Sequence, residues 1–197
     1  MSAGAPGPTV AVDEEAAIQP AWRRWTRGVG FAFVALVVLA LVSLLAFGLL
    51  NKGESGEGIL RLNRDAPDFT LNLFDGGTFT LSEQRGHPVV MNIWASWCDA
   101  CRQEADVLEQ GWRTYKDQGV IFVGVDFQDS RGDAERFLEE FNITYANGPD
   151  ESDIYVDYGA TGVPETFFIN SEGKIGLKYM GPLNAEQLSA FVEELLR

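Results

Sequence analysis

The chain has 197 residues, a hydrophobic fraction of 46% and a formal net charge of −14, which leaves room for one domain of ordinary size plus an appendage. The charge belongs to residues 51–197, where 26 acidic residues outnumber 12 basic ones, whereas residues 1–27 carry three of each. An acidic portion of this kind speaks against nucleic acid as a partner and against docking flat on anionic lipid. Only two cysteines are present, so neither has a disulfide partner in the chain except the other.

Residues 1–27 begin rich in Ala, Gly and Pro without periodicity and read as a disordered tail. Residues 28–50, GVGFAFVALVVLALVSLLAFGLL, carry no charge. As a helix this run reaches about 34 Å, enough for a hydrocarbon core of about 30 Å. A buried soluble helix and a cleaved signal peptide, with a small-x-small site at Ala46 and Gly48, are the competing readings. The length of the run and its long leader favour an uncleaved single-pass anchor. Arg23, Arg24 and Arg27 crowd its N-terminal flank. The positive-inside tendency then puts the N-terminus in the cytoplasm and the remainder outside it, where disulfides persist. Residues 51–60, glycine-rich and of mixed charge, read as a linker to a domain over 61–197.

In that domain FTLNLF (69–74) and TFTL (78–81) alternate around Asp75-Gly76-Gly77, which predicts a β-hairpin. Pro88 precedes VVMNIWAS, a strand buried on both faces, and a helix is expected from about Ala100 to Asp117. GVIFVGVDF (119–127) reads as a second buried strand, followed by a helix over about 131–141. Residues 142–162 are less regular, with a short helical candidate near 152–158. Strands at 166–170 and 175–180 flank the turn Ser171–Lys174, and Asn184 can cap a final helix, Ala185 to Arg197. Together these elements give an α/β domain: a central mixed sheet with helices on both faces, a thioredoxin-type arrangement carrying an added N-terminal hairpin.

The chemistry centres on WASWCDACRQE, where Cys98 and Cys101 stand between a strand and a helix, the local anatomy of a redox dithiol. Cys98 falls at the mouth of the helix, where free backbone N–H groups and the helix dipole favour a thiolate. Cys101, one turn deeper, is placed to resolve a mixed disulfide. Asp99 sets a negative charge beside the thiolate, which opposes ionisation and favours a more reducing couple. A structural disulfide is an alternative, but a loop this short staples little. Zinc would need two further ligands, and the chain has one histidine, His87; copper delivery would want a histidine after the cysteines, and none follows. No metal or cofactor is therefore expected. Pro164, in Gly162-Val163-Pro164-Glu165, is a candidate cis-proline that would present the backbone of Val163 to an extended substrate segment; read alone it is an ordinary turn proline. Glu104, three residues after Cys101 on the same helix face, is either a proton carrier or a solvated glutamate. Trp94 and Trp97 shape the apolar surface around the pair.

With APDFTL at 66–71, LSEQRGHPVVMNIWASWCDACRQE at 81–104 and GVPETFFIN at 162–170, the chain resembles the membrane-anchored thioredoxin-like proteins of the DsbE/CcmG, ResA and TlpA group, within the redoxin superfamily. The likeness covers about residues 61–197. It implies thiol–disulfide exchange outside the cytoplasm, reducing protein disulfides such as those of apocytochrome c during cytochrome c maturation with electrons from a membrane thiol–disulfide donor. It also implies Cys98 as the attacking and Cys101 as the resolving cysteine, Pro164 as the cis-proline, and Trp97, Val163 and Glu165 at the substrate. Glu104 matches the acidic residue such proteins carry after the second cysteine. Cytosolic thioredoxins have a buried aspartate where this chain has Asn92, and family members often have proline where it has Asp99-Ala100, the pair bearing on the direction of electron flow. APDFTL also occurs in peroxiredoxins, which carry threonine where this chain has Ala95. A thiol peroxidase is thus one alternative, and a tethered interaction domain with an inert disulfide is another.

Overall fold

The computed structural model describes residues 35–44 and 58–197. Contacts divide the chain between Ser55 and Gly56. In the first part, residues 35–44 are helical (α1) with exposed side chains. No helix among the described residues is long and apolar enough to cross a membrane. The tail expected over 1–27, the rest of the apolar run 28–50, and residues 51–57 of the expected linker lie outside the described residues.

The second part runs β1 (Gly58–Asp65), β2 (Thr70–Asn72), β3 (Thr78–Thr80), β4 (Val89–Trp94), α2 (Asp99–Tyr115), β5 (Ile121–Asp126), α3 (Arg131–Glu140), β6 (Ala146–Pro149), α4 (Ile154–Asp157), β7 (Glu165–Ile169), β8 (Lys174–Met180) and α5 (Ala185–Leu195). Six strands form one mixed sheet in the order β1-β8-β7-β4-β5-β6. Strands β4, β5 and β6 are parallel; β7 runs antiparallel to β4 and β8, and β1 antiparallel to β8. This is the thioredoxin-like α/β fold.

Period-two alternation divides the sheet's side chains between two cores. Val89, Met91 and Ile93 of β4, Val123 and Val125 of β5, and Phe167 and Ile169 of β7 face the hairpin residues Leu71 and Phe79 and the α4 residue Ile154. Val90, Phe122 and Phe168 face the opposite way, onto Leu108 and Tyr115 of α2 and Leu188 and Val192 of α5. On β8, Ile175 joins the first core while Leu177 and Tyr179 join the second. The alternation breaks there because the register against β7 skips Gly176, a bulge that turns the rest of the strand over. α3 joins the α2 side, its Phe137 stacked on Trp94 with ring centroids 4.5 Å apart.

Two elements depart from the sequence reading. The linker expected over 51–60 is already strand at Gly58, because β1 pairs through its backbone with β8. Its side chains are mostly exposed, so ladder hydrogen bonds rather than a buried stripe hold it, and such bonds leave no hydrophobic pattern. Bidentate pairing of Arg61 with Glu194 ties β1 to α5. Within the irregular stretch 142–162, Ala146–Pro149 forms the edge strand β6, whose Asn, Gly and Pro disguise it as a loop. The predicted hairpin is present as a separate two-stranded sheet, β2–β3. It lies against β6: Phe74 N–H donates to Asn147 O at 2.9 Å, and a Cβ on Gly148 would fall 2.1 Å from Asn72 O. A backbone carbonyl cannot swing aside as a side chain can. Gly148→Ala is therefore expected to destabilise the domain by about 1–3 kcal/mol, read as a lowered urea midpoint with an unchanged denaturant slope.

Candidate active site

The parallel strands β4, β5 and β6 end in register at Trp94, Asp126 and Pro149. The carboxyl ends of such strands are where α/β sheets place ligands. From Trp94 the chain crosses Ala95-Ser96-Trp97 to Cys98, the N-cap of α2. This crossing is tied down at each step. Ser96 N–H donates to Asp129 Oδ2 at 2.7 Å, Trp97 Nε1–H to Gln128 O at 3.1 Å, and Cys98 N–H to Ala95 O at 3.3 Å.

Cys98 and Cys101 are joined as a disulfide with Cα atoms 5.2 Å apart. Cys101 N–H, one of the amides a helix start leaves without an intrahelical partner, donates to Cys98 Sγ at 3.0 Å. When the disulfide opens, this amide and the helix dipole stabilise negative charge on that sulfur. Cys98 is 6% exposed and Cys101 2%, so Cys98 is the more accessible of the two. Facing it, the Val163–Pro164 peptide is cis and Val163 O lies 3.6 Å from Cys98 Sγ. Thr161 and Gly162 are exposed and Val163 half-buried, so the loop beside the disulfide is open to solvent. Trp97, 58% exposed, flanks it. Cys98, Cys101, Val163, Pro164 and Trp97 are thus brought together as expected.

Glu104 is buried beneath them. Its Oε1 accepts from Asn92 Nδ2 and its Oε2 from Leu183 N–H, both at 2.8 Å. Burial is the larger effect and pushes the carboxyl up to about 8; the two hydrogen bonds oppose it. At neutral pH the group is a carboxylic acid, one helical turn from Cys101. The solvated alternative for Glu104 is excluded by its 1% exposure. Asn92, noted in the sequence only as a substitute for aspartate, is what holds it. The same Nδ2 also donates to Thr166 Oγ1 at 3.0 Å, linking β4 to the strand after the cis-proline.

Glu165 takes a different place from the one the resemblance implies. Its side chain alternates to the face opposite Thr166, is 2% exposed, and meets no open surface. Oε1 accepts from Thr161 N–H and Thr161 Oγ1, at 2.9 and 2.7 Å, while Oε2 is ion-paired with Lys178 Nζ at 2.7 Å. Lys178 Nζ also donates to Gly159 O at 2.8 Å. Glu165 therefore shapes the loop that carries Val163 rather than touching a partner. Lys178 was missed because a lysine in a β8 sequence reads as solvent-facing. Asp126, also buried, was missed because a single aspartate at a strand end looks like turn punctuation. No group of three or more His, Cys, Asp or Glu among the described residues is arranged to hold a metal.

Comparison with known proteins agrees with this geometry. The AhpC/TSA family model matches residues 62–178. The chain belongs to that family. It is similar to the thiol-disulfide oxidoreductase ResA of Oceanobacillus iheyensis, 28% identical over 84% of this chain and 88% of the relative. The thiol:disulfide interchange protein DsbE of Pseudomonas fluorescens is 31% identical over 82% of this chain and 88% of the relative. A solved Chlorobium tepidum structure described as a DsbE interchange protein superposes with a TM-score of 0.65 at 31% identity, covering 70% of this chain and 99% of the other. Within the family, the chain is thus a thioredoxin-like thiol–disulfide oxidoreductase of the DsbE/ResA group. The peroxidase alternative lacks its hydroxyl: position 95 is a buried alanine.

A carboxyl raised from about 4.5 to about 8 stabilises the fold fully below pH 4.5 and loses that contribution as pH rises through 8. Glu104→Gln cannot ionise. Its urea stability is expected to overtake the parent's above pH 8 and to show no such gain at pH 5. In disulfide exchange the variant should lose a step near pH 8 from the rate profile; an unchanged profile would remove Glu104 from proton handling.

Proposed function

We propose that this oxidoreductase reduces disulfides in partner proteins outside the cytoplasm, apocytochrome c among them, while tethered by residues 28–50. The observation that carries the exchange is Cys98 Sγ facing Val163 O at 3.6 Å beside the exposed Thr161 and Gly162, which leaves an open loop along which a partner segment can lie as its disulfide meets the sulfur. Cys98 thiolate attacks one partner sulfur, forming a mixed disulfide and releasing the other partner sulfur as a thiolate that takes up a proton. Cys101 then attacks Cys98, freeing the partner as a dithiol and leaving the Cys98–Cys101 disulfide. Glu104, in the fraction that is ionised, is placed to take the proton from Cys101 as that thiol ionises, a share that grows as pH approaches 8. A membrane thiol–disulfide donor would return the two electrons.

Asp99, exposed in the first turn of α2, supports the reducing direction. Its charge disfavours a thiolate on Cys98 and so favours the disulfide form of this protein. The compartment rests on the uncharged run 28–50, of which 35–44 are helical, and on the arginines before it. The names of the ResA and DsbE relatives support the exchange reaction.

Cys101→Ser, expressed in full-length form, is expected to accumulate mixed disulfides through Cys98 that dithiothreitol releases. Recovery in the membrane fraction, with the domain open to protease added outside the cell, checks the anchor. A Cys98–Cys101 bond that fails to equilibrate with dithiothreitol would mark it as an inert staple and overturn the reading.

A further inference from the structure

Beside the dithiol, at the same carboxyl edge of the sheet, a cavity of about 230 Å³ opens beyond β5 and β6. Asp126, Asp129, Asp150 and Asp153 line it together with the rings of Phe127 and Tyr155, and no basic residue among the described residues does. The rings are stacked with centroids 3.9 Å apart. The cavity adjoins the active-site crossing directly. Asp129 accepts from Ser96 N–H, and Gln128, also in the lining, accepts from the Trp97 indole.

The carboxylates differ in what they already hold. Asp150 accepts from Ile154 and Tyr155 N–H, and Asp129 from Ser96 and Ser130 N–H. Asp126 is 2% exposed, and its Oδ1 has no hydrogen-bond partner among the described residues. A buried acceptor without a donor costs free energy that a ligand with N–H groups would recover. Asp126 shares a hydrogen bond with the Asp129 carboxyl, but no N–H of the described residues reaches its Oδ1, which leaves that oxygen for an N–H donor of a ligand.

We propose that this cavity is a subsite for an arginine side chain of the polypeptide whose disulfide Cys98 attacks. A guanidinium fits on three counts. Its planar fork offers several N–H donors at once, matching Asp126 Oδ1 and the adjacent carboxylates. Its positive charge meets a wall of one sign with no competing cation. Its flat face suits the aromatic lining. Burial, the charge of Asp129 and the hydrogen bond between the two carboxyls together hold Asp126 up to about 8. An entering guanidinium would therefore displace a proton at neutral pH. The inference rests on the exchange reading above and narrows it to disulfides with a basic neighbour.

The test uses the reduced full-length protein and disulfide peptides identical except for Arg, Ala or Glu, placed in turn one to four residues from the attacked cysteine. At the best position kcat/KM is expected to be at least tenfold higher for Arg than for Glu. That preference should shrink with added salt, grow from pH 7 to pH 9 as Asp126 ionises, and fall to near parity in Asp126→Asn. Asp153→Asn, on the exposed rim, should lose part of it and supplies the comparison if the Asp126 variant does not fold. Exchange with dithiothreitol, which cannot fill the cavity's charge requirement, serves as the reference rate and should be the same in Asp153→Asn as in the parent. Equal rates for Arg and Glu peptides, or an Arg preference unaltered in both variants, would overturn the subsite while leaving exchange intact. Failure of every peptide and of dithiothreitol would instead overturn the exchange reading, and the subsite with it.

Discussion

The site depends on one amide nitrogen. Asn92 Nδ2, buried in the central strand β4, donates both to Glu104 on α2 and to Thr166 on β7. Through the first contact it keeps an acid in the interior beneath the disulfide; through the second it positions the strand that begins just after the cis-proline. An aspartate here would set a second carboxyl against Glu104 and would present acceptors only, unless it were protonated. The asparagine removes that conflict and leaves Glu104 as the single carboxyl of the Asn92–Glu104–Thr166 contact. Leu183 N–H closes the arrangement from the approach to α5, so elements far apart in sequence converge on one carboxyl.

The loop opposite Cys98 is held from below by a charge pair rather than by packing alone. Glu165 and Lys178 are almost completely buried, and each also bonds the loop: Glu165 at Thr161, Lys178 at Gly159. Buried ion pairs contribute little net stability against well-packed apolar residues, yet leaving one partner alone is costly. Here their geometric effect is the more informative one, because the two bonds bracket the segment that ends at Val163. The loop's conformation is thereby specified from β7 and β8, not from contacts on its exposed side.

Much of this was legible beforehand because the signals were local and chemical. The cysteine spacing, the apolar run of β4 and the proline before β7 each carry their meaning in a few adjacent residues. Asn184 likewise announced the start of α5, where the structure adds Gln187 to make a reciprocal capping box. What escaped was carried by backbone or by partnership across the sheet. β1 has few buried side chains to betray it, β6 is spelled in turn residues, and Lys178 and Glu165 look like surface charges until they are seen to face each other. The resemblance placed Glu165 near the partner on sequence proximity to Pro164; strand alternation sends the side chain the other way. Asp126 shows the same limit, since burial of a lone carboxyl at a strand end depends on neighbours from β6 and the following loop.

The two outer strands of the sheet differ from its interior in a way that bears on how other chains can meet this one. β1 is interrupted between Arg61 and Arg64, with Asn63 in left-handed backbone (φ 45°), and carries charge along its length. β6 is only four residues long and ends in proline. Bulges, charge, brevity and proline are the devices by which sheets resist edge-to-edge growth. A protein that exchanges disulfides with other chains risks having them zip onto the margins of its own sheet. With both margins blunted, neither edge of the sheet offers a long regular ladder onto which another extended chain could grow.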